Sequence, residues 1–304
     1  MGPFADLGKT AARERRASRD SGREREDGGW VCGTRTRMAM AEAAISRFTS
    51  IAGGAESPIE AEWGGLFPEE QWGVFTSGTE ALEAEGVSFL LAGALALATY
   101  TGHWRNTKDV DVIVSAGDRE RAVEALKRAG FEDYFEREGY DRSWIFRGWK
   151  NGVLFDVIWA LPNHRVGIDE AWFELATPVR LKGRNFRAAP AEEIVRVKLY
   201  VMQRERCDWV DVLNVMAATV ERMAWARLVE RMGRDLPLLH GALAVFNWMC
   251  PGRAQALPDW LRKQFALTRI EAEDLAAMEE RRVRLFDSRP WFALHQPVDR
   301  PLER

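Results

Sequence analysis

Cysteine is scarce in this chain: Cys32, Cys207 and Cys250 are the only three in 304 residues. None stands in a CxxC spacing, which argues against a disulfide scaffold or a zinc site and suits a reducing cytoplasm. Histidine is nearly as scarce, with four residues far apart, so no histidine-type metal motif is present. Neither sign of charge dominates, since 43 basic and 46 acidic residues leave a formal charge of -3. That balance gives no support to a general nucleic-acid binder or a polybasic membrane protein. Long apolar runs are missing too. The stretches near Val87–Tyr100 and Leu236–Cys250 are too short or too interrupted to span a bilayer, and residues 1–40 lack the apolar centre of a secretory signal. The expectation is a soluble cytoplasmic protein.

What is present, 46% hydrophobic residues, suffices for one large domain or a core with an appendage. Residues 1–40 contain "AARERRASRDSGREREDGG", rich in charge, Gly and Ser, and are expected to be a disordered extension. Deleting them should leave the melting temperature within about 2 °C. A large drop in a calorimetric scan would show that the segment packs, through Trp30 for example. Residues 41–78 are expected to be a helical lead-in and a Gly- and Pro-punctuated connector, with a helix over Thr79–Glu85 stopped by Gly86. A core over 79–218, a helical region over 219–290 and a loose tail over 291–304 complete the expected organisation.

Within the core the pattern changes. "VSFLLAG" predicts a buried strand, "ALALATYTG" a short helix closed by Gly102, and "DVDVIV" a second strand after the loop "HWRNTK". "DRERAVEALKRAG" has the apolar spacing of an amphipathic helix. Asn151-Gly152 predicts a hairpin between "RSWIFRG" and "GVLFDVIWAL", and Gly183 marks another. "PAEEIVRVKLYVMQRE" and "DWVDVLNVMAA" predict helices, and later ones are separated at Pro237, Pro251 and Pro258.

One strand carries a cost. Asp109 and Asp111 stand two residues apart in "DVDVIV", so they project from the same face. Adjacent carboxylates repel unless a cation lies between them or one keeps its proton. Asp156, inside the apolar "VLFDVIW", supplies a third acid on a strand able to pair with the first. Three carboxylates on one face are hard oxygen donors of the kind magnesium prefers, and can hold two ions roughly 3.5–4 Å apart.

The strand and helix around "AGALALA", the loop "RNTKDVD" and the later "FDV" resemble the polymerase β-type nucleotidyltransferase superfamily. They are most similar to its minimal nucleotidyltransferase and AbiEii-type toxin branch. The resemblance covers roughly Gly86 to Ala217. It implies an α+β fold, a mixed sheet flanked by helices and followed by a C-terminal helical region. It also implies magnesium at Asp109, Asp111 and Asp156, and a nucleoside triphosphate whose phosphates meet the turn at Gly93. Ala94 departs from the family's second Gly or Ser, which removes a hydroxyl but keeps the backbone N–H groups. Arg105 and Thr107 stand where they can touch phosphate or orient Asp109. Lys198 matches a lysine facing the site. Asp208 and Asp211 match downstream acids, with Arg204 before them. Arg204 and Asp208, at i and i+4, are expected to be a helix-surface pair, and Asp211 is open between surface and site. The activity implied is transfer of a nucleoside monophosphate to an acceptor: transfer RNA, a partner protein or a small molecule, with a toxin–antitoxin role among the contexts. The alternative is a catalytically silent nucleotide- or protein-binding module on the same fold.

Overall fold

The computed structural model describes residues 57–105, 107–271 and 273–285. The chain divides into two units, Met1–Gly54 and Ala55–Arg304, and every described residue belongs to the second. The expected disordered extension, the short helix from Ala41 and the tail at 291–304 lie outside the described residues.

Among the described residues, eight strands build one sheet: β1 (Ile59–Glu60), β2 (Phe89–Leu91), β3 (Asp109–Val114), β4 (Glu132–Asp133), β5 (Ile145–Lys150), β6 (Val153–Ile158), β7 (Thr177–Leu181) and β8 (Arg184–Ala188). Their order is β1-β7-β8-β2-β3-β6-β5-β4. The pairs β1–β7, β2–β8 and β3–β6 are parallel and the others antiparallel, so the sheet is mixed, as expected for this α+β chain. Both predicted hairpins form. Their turns place Asn151 and Gly152 at φ 50° and 83°, and Lys182 and Gly183 at 47° and 78°, the paired positive values of a type I′ turn.

Alternation sorts the strands' side chains between two cores. Val110, Val112 and Val114 of β3 and Val153, Phe155 and Val157 of β6 pack on one face, under α1 (Glu69–Ala84). Ile113 points the opposite way, into a second core built largely from the C-terminal helices. Asp109 and Asp111 share the parity of Ile113, and Asp156 that of the partly buried Ile158, so all three acids face the helical side. On that side lie α2 (Gly93–Thr101) and, past α3 (Arg119–Arg128) and α4 (Glu170–Glu174), α5 (Ala191–Leu199) and α6 (Trp209–Thr219). No helix among the described residues is long and apolar enough to cross a membrane.

Two helices differ from the expectation. The one expected over Thr79–Glu85 begins at Glu69, because Pro68 caps it and Glu69 and Glu70 complement its N-terminal dipole. The connector before it is packed: Trp63 and Phe67 are buried, and Trp104 stacks on Trp63 at 5.3 Å, with its ring centroid 5.0 Å from that of Phe67. The helix expected over "PAEEIVRVKLYVMQRE" ends at Leu199. Beyond it the Gln203 N–H donates to the Arg206 carbonyl at 2.7 Å and the Asp208 N–H to the Val201 carbonyl at 3.0 Å. This turn satisfies the backbone without helical bonds and folds Asp208 back over Lys198.

Candidate active site

Asp111 and Asp156 are direct neighbours across the parallel β3–β6 pair, and Asp109 is opposite Leu154. Oxygens of the three carboxylates lie within 4.8 Å of one another. Asp156 is buried, while Asp109 and Asp111 are half-buried at the open end of the strand. Burial, then the like charges of Asp109 and Asp156, push the Asp111 carboxyl up to about 8, against the pull of Lys198 and Arg206. Burial pushes Asp156 up to about 6, with the hydrogen bonds and charge of Arg147 opposing. Both acids therefore hold their protons to higher pH than they would in water. A cation among them relieves the repulsion, and the donors, all carboxylate oxygens, fit magnesium or manganese.

Gly93 begins α2 directly against this cluster. A Cβ on it would lie 1.8 Å from Asp111 Oδ2, and its φ of +47° is left-handed. The glycine is thus required by Asp111 itself. Ala94 follows in the first turn of the same helix, whose opening N–H groups have no partner within it.

The loop before β3 is pinned by side chains distant in sequence. Gln71 donates to the Thr107 carbonyl at 2.7 Å, and the Trp104 ring lies in the aromatic cluster of Trp63 and Phe67. Thr107 Oγ1 donates to Asp109 Oδ1 at 2.5 Å, so Thr107 orients a site carboxylate. Arg105 reaches a carboxylate as well, donating from Nη1 and Nη2 to Asp211 at 3.1 and 3.3 Å.

Lys198 is buried and donates to Asp208 at 2.7 Å and to Asp211 at 2.8 Å. Arg206 closes the chain of charges, with Nε and Nη2 both 2.9 Å from Asp208. Burial raises the Asp208 carboxyl, but the hydrogen bonds and charges of Arg206 and Lys198 outweigh it and hold the group at about 2. The sequence Arg105, Asp211, Lys198, Asp208, Arg206 is one continuous ion network, and Lys198 and Arg206 are close enough to act on Asp111.

The helix-surface pair expected for Arg204 and Asp208 does not form. Arg204 is 93% exposed and pairs with Glu205, whereas Asp208 is buried. The chain is not helical there, so i and i+4 do not meet. Asp211 belongs to the network.

Two residues escaped the sequence reading. Arg147 lies opposite Asp156 in the β5–β6 hairpin and grips it, Nε to Oδ1 at 3.1 Å and Nη2 to Oδ2 at 2.9 Å. The signal existed: a two-residue turn at Asn151-Gly152 sets the register Lys150 to Val153, and counting back pairs Arg147 with Asp156. Arg206 gave no such signal, since its role depends on the turn after α5.

The mixed sheet flanked by helices, with an acid pair opposite a glycine-opened helix, is the arrangement that the sequence resemblance leads one to expect. Residues 79–246, more than half of the chain, match the family described as "Uncharacterised nucleotidyltransferase", and the chain belongs to that family. Solved structures resemble it loosely. Antibiotic-resistance factor ANT(2'')-Ia is 16% identical, with 56% of this chain and 96% of that one covered at a TM-score of 0.39. The lincosamide antibiotic adenylyltransferase LnuA, solved with lincomycin bound, is 16% identical over 50% and 97% of the two chains, at 0.37. JHP933 from Helicobacter pylori is 16% identical over 74% and 91%, at 0.35. At this level of likeness none of them bears on the reaction here. No curated protein matches the chain.

Proposed function

We propose that this enzyme transfers a nucleoside monophosphate from a nucleoside triphosphate, ATP among them, to a hydroxyl or phosphate of an acceptor in the cytoplasm. The observation that carries the reading is the convergence of Asp109, Asp111 and Asp156 within 4.8 Å on the face shared with Lys198. The three carboxylates are suited to hold two magnesium ions, which when bound would neutralise charge on the reacting phosphates. Backbone N–H groups at Gly93 and Ala94 are placed to receive a phosphate. Lys198 and Arg105 offset the remaining triphosphate charge, and Thr107 keeps Asp109 turned toward the site. With a hydroxyl acceptor, the acceptor oxygen bonds to the α-phosphorus and the bond to the bridging oxygen breaks. Pyrophosphate leaves with that electron pair, and the hydroxyl proton passes to Asp156.

Three acceptor classes suit this reading: the 3′ end of transfer RNA, a serine or tyrosine of a partner protein, and a small-molecule hydroxyl. The first two fit a toxin–antitoxin component of the AbiEii-type branch. Labelled triphosphates incubated with each class, with pyrophosphate detection and mass spectrometry of the acceptor, separate them. Hydrolysis without acceptor labelling would exclude transfer.

Titration should show magnesium or manganese binding that is strengthened by a nonhydrolysable triphosphate and lost on replacing Asp109 and Asp111 together by Asn. Unchanged binding in that double variant removes these residues as the metal site.

Lys198→Met should raise the apparent KM for the nucleotide more than it lowers turnover. It also leaves Asp208 and Asp211 with one arginine each, so stability should fall by up to about 3 kcal/mol, the low end for a broken buried pair. Steady-state kinetics and a thermal melt check both. Wild-type values in each would take Lys198 out of the site.

A further inference from the structure

The reaction just described leaves Arg147 unused, although it makes the closest contacts of any cation with the acidic cluster. Arg147, Asp156 and Asp111 form one row across three adjacent strands, because Arg147 pairs with Asp156 in β5–β6 and Asp156 with Asp111 in β3–β6. The guanidinium engages Asp156 through the side-on fork of Nε and Nη2, and Nη2 is also 3.7 Å from Asp109 Oδ2. Its side chain is 29% exposed and that of Asp156 is 3% exposed, so the arginine covers the carboxylate from the solvent side. The strand that carries it is braced: the Arg147 N–H donates to the Tyr140 hydroxyl at 3.0 Å, and that hydroxyl donates to Asp133 at 2.9 Å. A fork held this firmly fixes the rotation of the Asp156 carboxylate plane.

Resting on the reading under Proposed function, we propose that Arg147 is a positioning residue that aims Asp156 at the acceptor and, through its charge, competes with the divalent cation for the acidic cluster. Nε is 3.1 Å from both Oδ1 and Oδ2, and Nη2 is 2.9 Å from Oδ2, so Oδ1, with one such contact against two, keeps more of its acceptor capacity for the cluster. Arg147 decides which oxygen that is. Its positive charge also partly fills the role of the cation, beside Asp156 and within reach of Asp109. Metal bound among these acids therefore meets a like charge at short range, in a site where screening by water is reduced. The two effects have opposite consequences for turnover and for metal affinity, and that opposition sets this role apart from a purely structural ion pair.

The test uses the full chain with Mn2+ alone as the probe, followed by electron paramagnetic resonance, beside steady-state kinetics at saturating metal. Arg147→Met should bind Mn2+ at least about tenfold more tightly, because a like charge has gone from the cluster. Its turnover should fall by about tenfold or more with a nearly unchanged KM for the nucleotide, because the general base has lost its orientation. Arg147→Lys keeps the charge without the fork. It should bind Mn2+ as the wild type does and still lose turnover, and where the methionine variant fails to fold, Arg147→Gln, which also removes the charge, takes its place in the Mn2+ titration with the same expected tightening. Weaker or unchanged Mn2+ binding in Arg147→Met overturns the inference. So does a raised KM with intact turnover in either variant, which would place Arg147 on the triphosphate instead. Failure of the wild type to bind Mn2+ would instead overturn the reading of the acids as a metal site, so the two failures are told apart.

Discussion

Gly93→Ala should destabilise the protein and abolish divalent-ion binding in one step. Adding a methyl to a glycine ordinarily stabilises a chain where the backbone tolerates it, by restricting the unfolded state. Here the sign reverses for two reasons on the same atom. The φ of +47° disfavours any residue with a Cβ by about 1–2 kcal/mol. The Cβ would also stand 1.8 Å from Asp111 Oδ2 and 2.7 Å from its Cγ, well inside contact distance. Relief requires Asp111 to swing away or α2 to shift, and overpacking of this kind adds about 1–3 kcal/mol. The sum, at least about 2 kcal/mol, corresponds to a melting temperature lowered by about 4–8 °C for a chain of this size. Moving Asp111 also separates it from Asp109 and Asp156, so Mn2+ titration should show no saturable site. A variant that melts and binds metal like the wild type would mean that Asp111 does not lie against the glycine turn.

Asp156→Asn should lower nucleotidyl transfer by at least about a hundredfold while the triphosphate still binds. The substitution keeps the shape of the side chain and removes one of its two acceptor oxygens together with its charge. In this site the loss is larger than the formula implies, because Arg147 donates to both oxygens. An amide must turn its NH2 toward one guanidinium N–H, leaving a donor facing a donor in a place where Asp156 is 2% exposed. A buried donor without an acceptor costs about 1–3 kcal/mol, so the melting temperature should fall as well. Single-turnover rates with the hydroxyl acceptor and nucleotide binding by fluorescence separate the chemical loss from the structural one. Wild-type single-turnover rates would remove Asp156 as the proton acceptor.

Both predictions come from contacts between strands, and much of that framework was legible in the residues. The β-branched run of β3, the paired turns at Asn151-Gly152 and at Gly183, and the parity of Asp109 and Asp111 are local properties, set by backbone preferences and a period of two. Gly102 as the stop of α2 is equally local, with its left-handed φ of 72°. The register of Arg147 with Asp156 belongs with these, since a hairpin's turn length dictates its pairing.

Composition alone was silent on one stretch and misjudged another. The Gly- and Pro-rich connector before α1 packs Trp63 and Phe67 on Trp104, and thereby holds the loop of Arg105 and Thr107. A Cβ on Gly64 would lie 2.7 Å from Leu181 Cδ1, a tertiary contact that nothing local in the segment reveals. The helix expected to continue past Leu199 had good local propensity throughout, yet the chain turns there to bring Asp208 onto Lys198. A buried lysine with two carboxylates outweighs the few tenths of a kcal/mol that helix propensity contributes per residue.

The sequence by itself determined the strands of the core, the hairpin turns, the common face of Asp109 and Asp111 and the membership of the chain in a nucleotidyltransferase family. Those follow from interactions between neighbours a few residues apart, which a reading along the chain can count. The tertiary structure decided how the acids are balanced: Arg105 meets Asp211 across 106 positions, and Asp111 lies against the glycine that opens α2. Electrostatic balance depends on distance in space, and distance in space between remote segments is set only when the two cores close around the sheet.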